Sequence, residues 1–311
     1  MVRLTFFIKS FFVDFRHQFH LILLLGTKNS TMSLIIALFK KASNVYILVH
    51  VDKILKKSTL IQIGGIKMRF GIIGAGAIGA SISNKLVENG HNVKIAETRG
   101  VEHLEGKEFA GTPASLEDVI TNIDVLIISL PSHVIPSIRD TIDKIGEEVI
   151  VVDTSNYYPF RDNKIEEIEN GMVESLWVSN QLGRPIIKAF NNQLAYTLKN
   201  NGTPEGTSGR IAMAVAGNVQ SHKEVIMDVV NVLGFDAVDG GSLNDSWRQQ
   251  PGNPGYCTEL TKEELTEALT RANKEKAPFL RDQAIARFST TTAGGYSHQD
   301  VVNLNREIYN S

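Results

Sequence analysis

Six residues constrain this chain more than any others: Gly74, Ala75, Gly76, Ala77, Ile78 and Gly79, set between the apolar run RFGIIG and the helical pattern AIGASISNKLVENG, which Gly90 ends. In this G-x-G-x-x-G arrangement Gly74 permits a tight turn. Gly76 lets the main chain approach a pyrophosphate, and Gly79 lets helix and strand pack closely. The helix that follows aims unpaired N–H groups and the positive end of its dipole at the phosphates. Three glycines alone are weak evidence. Here a strand precedes, a helix follows, and a second strand, NVKIAE, ends about 20 residues on. A dinucleotide site is therefore expected at this loop.

Beyond it, apolar strands alternate with helical segments, as in a parallel sheet covered on both faces. IDVLIISLP and EEVIVVD are near-continuous runs rich in Val and Ile, which suits central parallel strands. RPIIKAFNN is strand-like, a helix is expected from about Ser221 to Leu233, and FDAVDGGSL follows. A long amphipathic helix then starts with capping-box spacing at Thr261 and Glu264, with Leu265, Ala268, Leu269 and Ala272 on one face. Ala277, Leu280, Ala284 and Phe288 continue an apolar stripe past Pro278, which kinks or restarts the helix. Packing or a homodimer suffices to explain that stripe.

Residues 1–67 differ from the rest. FFIKSFF, LILLL and SLIIALF are apolar clusters without helical or alternating periodicity. They fall short of the roughly 18–20 residues that cross a bilayer, and GTKNST interrupts them. The expectation is an unstructured or mis-called N-terminal extension, with translation starting at Met68. A net charge of -2 with dispersed charges leaves no electrostatic footprint for nucleic acid or an anionic membrane. The partner class left is a small molecule. The one cysteine, Cys257, excludes an internal disulfide, and no Cys/His grouping has metal-ligand spacing, so a cytoplasmic setting is expected.

The segments MRFGIIGAGAIG, ETRG, IISLPSHVIP, VVDTSNYY, IIKAFNNQLAYTL, GRIAMAVAGN and GFDAVDGGSLNDSWRQQPG occur in an order that resembles the NADPH-dependent deazaflavin (coenzyme F-420) oxidoreductase family, whose bacterial members are often called predicted dinucleotide-binding proteins. The similarity runs from Met68 to about Thr258. It implies an α/β fold: a Rossmann, doubly wound parallel sheet with a small C-terminal α/β addition and a terminal helix. Residues 68–158 would be the NADP-binding Rossmann domain, and 159–311 would complete the fold and the acceptor site. The implied reaction is hydride transfer between NADPH and a deazaflavin or flavin-like acceptor. The resemblance gives Gly74, Ala75, Gly76, Ala77, Ile78 and Gly79 the pyrophosphate, and Thr98 and Arg99 the adenosine 2′-phosphate. It gives Leu130, Pro131, Ser155, Asn156 and Ala189 the nicotinamide side.

Transfer of hydride between two rings asks mainly for geometry in a dry cleft, so no catalytic side chain is assigned. His133 is a proton donor, a positioning group or a loop histidine. Lys188 either faces the ligand or is an edge charge, and Trp247 with Arg248 either holds an anionic acceptor or anchors a loop. Two rivals stand beside the reductase: a non-catalytic NADPH sensor, and an NADP-linked hydroxy-acid dehydrogenase, for which too little chain follows Gly241. Glu97, ending the second strand, would by itself favour NAD, because a carboxylate there binds the ribose hydroxyls. Set against Arg99, it gives an expected preference for NADP that is weaker than a site without Glu97 would show.

Overall fold

The computed structural model describes residues 67–290 and 295–310, and before them the strands that lie within 14–61. The chain divides into two units, 1–67 and 68–311. In the first, β1 (Asp14–Phe15), β2 (Phe19–Lys28), β3 (Thr31–Lys40), β4 (Asn44–Val51) and β5 (Thr59–Ile61) pair antiparallel in sequence order. These strands lie in the stretch read from the sequence as an unstructured or mis-called extension. Continuous apolar runs such as LILLL carry no period-two signal, so alternation did not announce them.

The second unit is built on an eight-stranded sheet: β6 (Arg69–Ile73), β7 (Asn92–Ala96), β8 (Thr112–Pro113), β9 (Val125–Ile128), β10 (Ile150–Asp153), β11 (Ile187–Lys188), β12 (Ala212–Gly217) and β13 (Asp236–Asp239). Their spatial order is β13-β12-β11-β10-β9-β6-β7-β8. All neighbours pair parallel except β11 with β12. Progression reverses between β6 and β9, the switch point beyond which doubly wound folds place their ligands. This is the Rossmann, doubly wound topology that the family resemblance implied, built on the parallel sheet that the alternating pattern predicted.

Each central strand serves two cores, because successive side chains point to opposite faces. Phe70, Ile72, Val125, Ile127 and Val152 pack with Ile82 and Leu86 of helix Ala77–Glu88 and with Val229 and Val230 of helix Gln220–Val232. Ile73, Leu126, Ile128 and Val151 pack with Trp177, Val178 and Leu182 of helix Glu174–Leu182. That double burial is why the strands read as continuous apolar runs. Gly71 is required for close packing, since a Cβ there would lie 2.3 Å from the Val119 carbonyl oxygen.

The expected long C-terminal helix is two. Helix Lys262–Arg271 carries the Thr261/Glu264 capping box, and helix Ala277–Ser289 restarts with Pro278 in its first turn. A third helix, His298–Tyr309, closes the chain. Leu280, Ala284, Leu304, Ile308 and Tyr309 bury against Tyr256 and Cys257, so packing accounts for the apolar stripe. Among the described residues no helix is long and apolar enough to cross a membrane.

Candidate functional site

At the end of β6 the chain turns at Gly74, whose φ of +107° favours glycine. A Cβ on Gly74 would sit 2.1 Å from the Ser129 carbonyl oxygen, and one on Gly79 would sit 2.0 Å from that of Gly74. These two glycines bring strand β6, helix Ala77–Glu88 and the end of β9 together. Gly76 is different: a Cβ there meets nothing within 4 Å, so its backbone faces open space. The helix it leads into has no side-chain cap and no acidic residue in its first turn. Its first N–H groups are therefore free for an anion.

From this helix N-terminus a cavity of about 300 Å³ extends along the carboxyl ends of the strands. Gly76, Ala77 and Ile78 line one end, with Leu130 and Pro131 after β9 and Ser155 and Asn156 after β10 beside them. Gly74 and Gly79 shape the turn without lining the cavity, and Ala75 donates its N–H to Glu97 Oε1 at 3.1 Å. Ala189 is fully buried in the core, while the next two residues, Phe190 and Asn191, line the cavity. Phe190 holds a φ of +62° and Cys257, also lining it, +53°. Such non-glycine backbone conformations cost of order 1–3 kcal/mol each and persist where the surroundings fix them.

Carboxamides fix this part of the chain. Asn191 Nδ2 donates to Asn156 Oδ1 at 3.0 Å and to the Gln249 carbonyl at 2.9 Å, and Asn156 Nδ2 donates to the Asn191 carbonyl at 2.9 Å. Gln193 Nε2 donates to the Ala212 carbonyl at 2.8 Å. Ser155 Oγ, by contrast, is buried without a hydrogen-bond partner. The orphaned hydroxyl and the uncapped helix end both fit a polar ligand.

Beneath the cavity lies a buried charge cluster. Lys188 is wholly buried, its Nζ 2.7 Å from Asp153 Oδ2 and donating also to the Ser155 carbonyl. It is neither a ligand-facing group nor an edge charge. Its position under the strand ends makes it a clamp on the β10 loop, because Asp153 Oδ1 also accepts the Ser155 N–H at 2.9 Å. Glu174, 6% exposed, accepts the Tyr157 N–H at 3.0 Å, and burial pushes its carboxyl up to about 7.

The lining also includes an aromatic, uncharged group of side chains. Tyr158 and Tyr256 share a hydrogen bond of 2.7 Å between their hydroxyls. Burial raises both phenols well above their ordinary range and pushes the Cys257 thiol up to about 12. Arg161 stands at the rim, its guanidinium 5.3 Å from the centre of the Tyr158 ring and 2.8 Å from Asp162 Oδ2. His133 Nδ1 lies 2.9 Å from Asp162 Oδ1, off the cavity lining. Trp247 and Arg248 also lie off it, Arg248 held over the Trp247 ring at 5.3 Å. Sequence reasoning missed Tyr158, Arg161, Phe190, Asn191, Tyr256 and Cys257. The signals were NYY after β10 and the paired asparagines after KAF.

At the end of β7, Thr98 is partly exposed and Arg99 exposed, and neither side chain has a partner among the described residues. Glu97 is 9% exposed and turned toward the glycine loop.

Residues 69–157 match the model of the family described as NADP oxidoreductase, coenzyme F420-dependent. Over 108 residues the chain is 37% identical to the protein YjhV of Escherichia coli (strain K12), covering 35% of this chain and 78% of that protein. The chain belongs to the coenzyme F420-dependent NADP oxidoreductase family. A crystal structure of a hypothetical protein, SMa0349 from Sinorhizobium meliloti, superposes with a TM-score of 0.53 at 28% identity, covering 63% of this chain and 96% of that one. Membership makes this F420-type chain an NADP-dependent oxidoreductase. The matched segment holds the glycine loop, Thr98, Arg99, Leu130, Pro131, Ser155 and Asn156.

Proposed function

We propose that this protein transfers hydride between NADPH and a deazaflavin or flavin-like acceptor, the acceptor ring lying at the Tyr158 and Tyr256 end of the cavity. The observation that carries the reading is the cavity itself. Its lining joins the uncapped helix after the glycine loop to Tyr158, Tyr256 and Cys257, which stay uncharged near neutral pH.

Bound NADPH would supply the hydride, and the acceptor would take it together with a proton from solvent. The chain's own part is geometry. The N–H groups of Ala77 and Ile78 hold phosphate, and Thr98 and Arg99 meet the 2′-phosphate. Leu130 and Pro131 support one face of the nicotinamide, and Ser155 Oγ donates to a polar group of it. The Asn156–Asn191 pair stiffens the opposite loop, so the two reacting carbons can be held about 3–3.5 Å apart. Tyr158, Tyr256 and Cys257 keep water out without adding charge beside the transferred hydride. Arg161 at the rim attracts an anionic acceptor.

The test is an anaerobic assay of purified protein with NADPH against a deazaflavin, a flavin, a quinone and a ferric chelate. Turnover is expected with the deazaflavin or the flavin. NADPH binding without turnover of any acceptor would overturn the reductase reading and leave a nucleotide sensor.

A further inference from the structure

We infer that Lys107 is a specificity-determining residue, which selects NADP over NAD by neutralising Glu97 and holding it away from the cofactor ribose. The inference rests on the dinucleotide site argued above and concerns how its adenosine end discriminates.

Glu97 directly follows β7, where NAD enzymes keep an acid whose two oxygens accept from the ribose hydroxyls and repel a 2′-phosphate. Here one oxygen of that acid is otherwise engaged. Its Oε1 accepts both the Ala75 N–H at 3.1 Å and the Lys107 ammonium. Its side chain is 10% exposed against 33% for Lys107, so the cation, more than the acid, meets solvent. Lys107 is held in place by its own loop. Its N–H donates to the Leu104 carbonyl at 3.1 Å, and Leu104 is buried. Three and four residues on, the Ala110 N–H donates to Asn84 Oδ1 at 2.6 Å and the Gly111 N–H to Ser83 Oγ at 2.9 Å. Both acceptors lie on the helix that follows the glycine loop. The loop is thus pinned to the helix that receives the pyrophosphate.

The charges then add differently from the sequence reading. Glu97 and Arg99 alone would cancel. With Lys107 the three side chains Glu97, Arg99 and Lys107 together carry one net positive charge beside the place of the 2′-phosphate. Of the other acids on this stretch, Glu102 lies 3.4 Å from His103 Nδ1 and is set against Gly100, and Glu105 and Glu108, which flank Lys107, are exposed to solvent.

Lys107→Met removes the neutralising charge and frees Glu97 for the ribose. NADPH should weaken and NADH tighten, so that the ratio of their dissociation constants, NADH over NADPH, falls about tenfold or more, as expected for close charge pairs. Lys107→Arg should keep the wild-type ratio. In the double variant Glu97→Gln, Lys107→Met, most of that fall should disappear, because no carboxylate remains to repel phosphate. Calorimetric titration with NADPH and NADH reads all four proteins. If Lys107→Met lowers the thermal midpoint, Lys107→Gln, uncharged but able to donate to Glu97, carries the same expectation. A ratio unmoved by Lys107→Met and Lys107→Gln overturns the inference alone. So does a fall of the same size without Glu97. Failure of the unsubstituted protein to bind either dinucleotide overturns the site reading itself.

Discussion

Glu174 makes stability depend on pH in the direction opposite to most carboxylates. It opens helix Glu174–Leu182 and is 6% exposed. Burial dominates its environment, with Lys188, the Tyr157 N–H and Arg281 opposing and the Asp153 charge reinforcing, and the net effect lifts its pKa from 4.5 to about 7. Between those values the folded chain holds a proton that the unfolded chain has released, so stability falls as pH rises through the window. The shift corresponds to about 3 kcal/mol over the whole range, most of it between pH 5 and pH 8. Glu174→Gln keeps an acceptor for Tyr157 and cannot ionise. Urea unfolding of both proteins at half-unit intervals from pH 5 to pH 8 isolates the effect, since other titrations cancel in the difference. The glutamine variant should match the parent near pH 5 and exceed it by about 2–3 kcal/mol near pH 8. A difference that stays flat across that range refutes the argument that Glu174 is protonated by burial.

Two further substitutions test the ends of the site. Arg99→Ala should weaken NADPH about 10–100-fold, the loss of charge-assisted bonds to phosphate, and leave NADH within about threefold; equal losses for the two cofactors in titration calorimetry would contradict the 2′-phosphate role. Lys188→Met leaves the Asp153 carboxylate buried without its 2.7 Å partner, which should cost about 3–5 kcal/mol of stability in urea unfolding. Adding Asp153→Asn should recover most of that, and a single-variant cost below about 1 kcal/mol would mean that the pair is not desolvated as described.

What could be read from the sequence, and what could not, follows from the range of the interactions involved. The glycine loop and the Thr261 capping box were legible because their geometry is set within a few residues. The parallel sheet was legible because strands buried on both faces must be apolar throughout, as Val125–Ile128 and Ile150–Asp153 nearly are. Lys188 was ambiguous for the converse reason. Strand alternation names a face, but only the alignment of Asp153 with Lys188 in the β10–β11 register shows that the lysine is spent on an internal partner. Tyr158 and Tyr256 meet across 98 residues, a distance over which no periodicity carries information. Glu97 shows the same limit most sharply. Read with its neighbours alone it opposes Arg99, yet the residue that decides its effect is ten positions away, delivered by a loop whose own shape depends on Ser83 and Asn84 of another element. Cofactor preference in this chain is therefore a property of tertiary contacts around the second strand, and Lys107→Met beside Glu97→Gln separates that property from the local sequence.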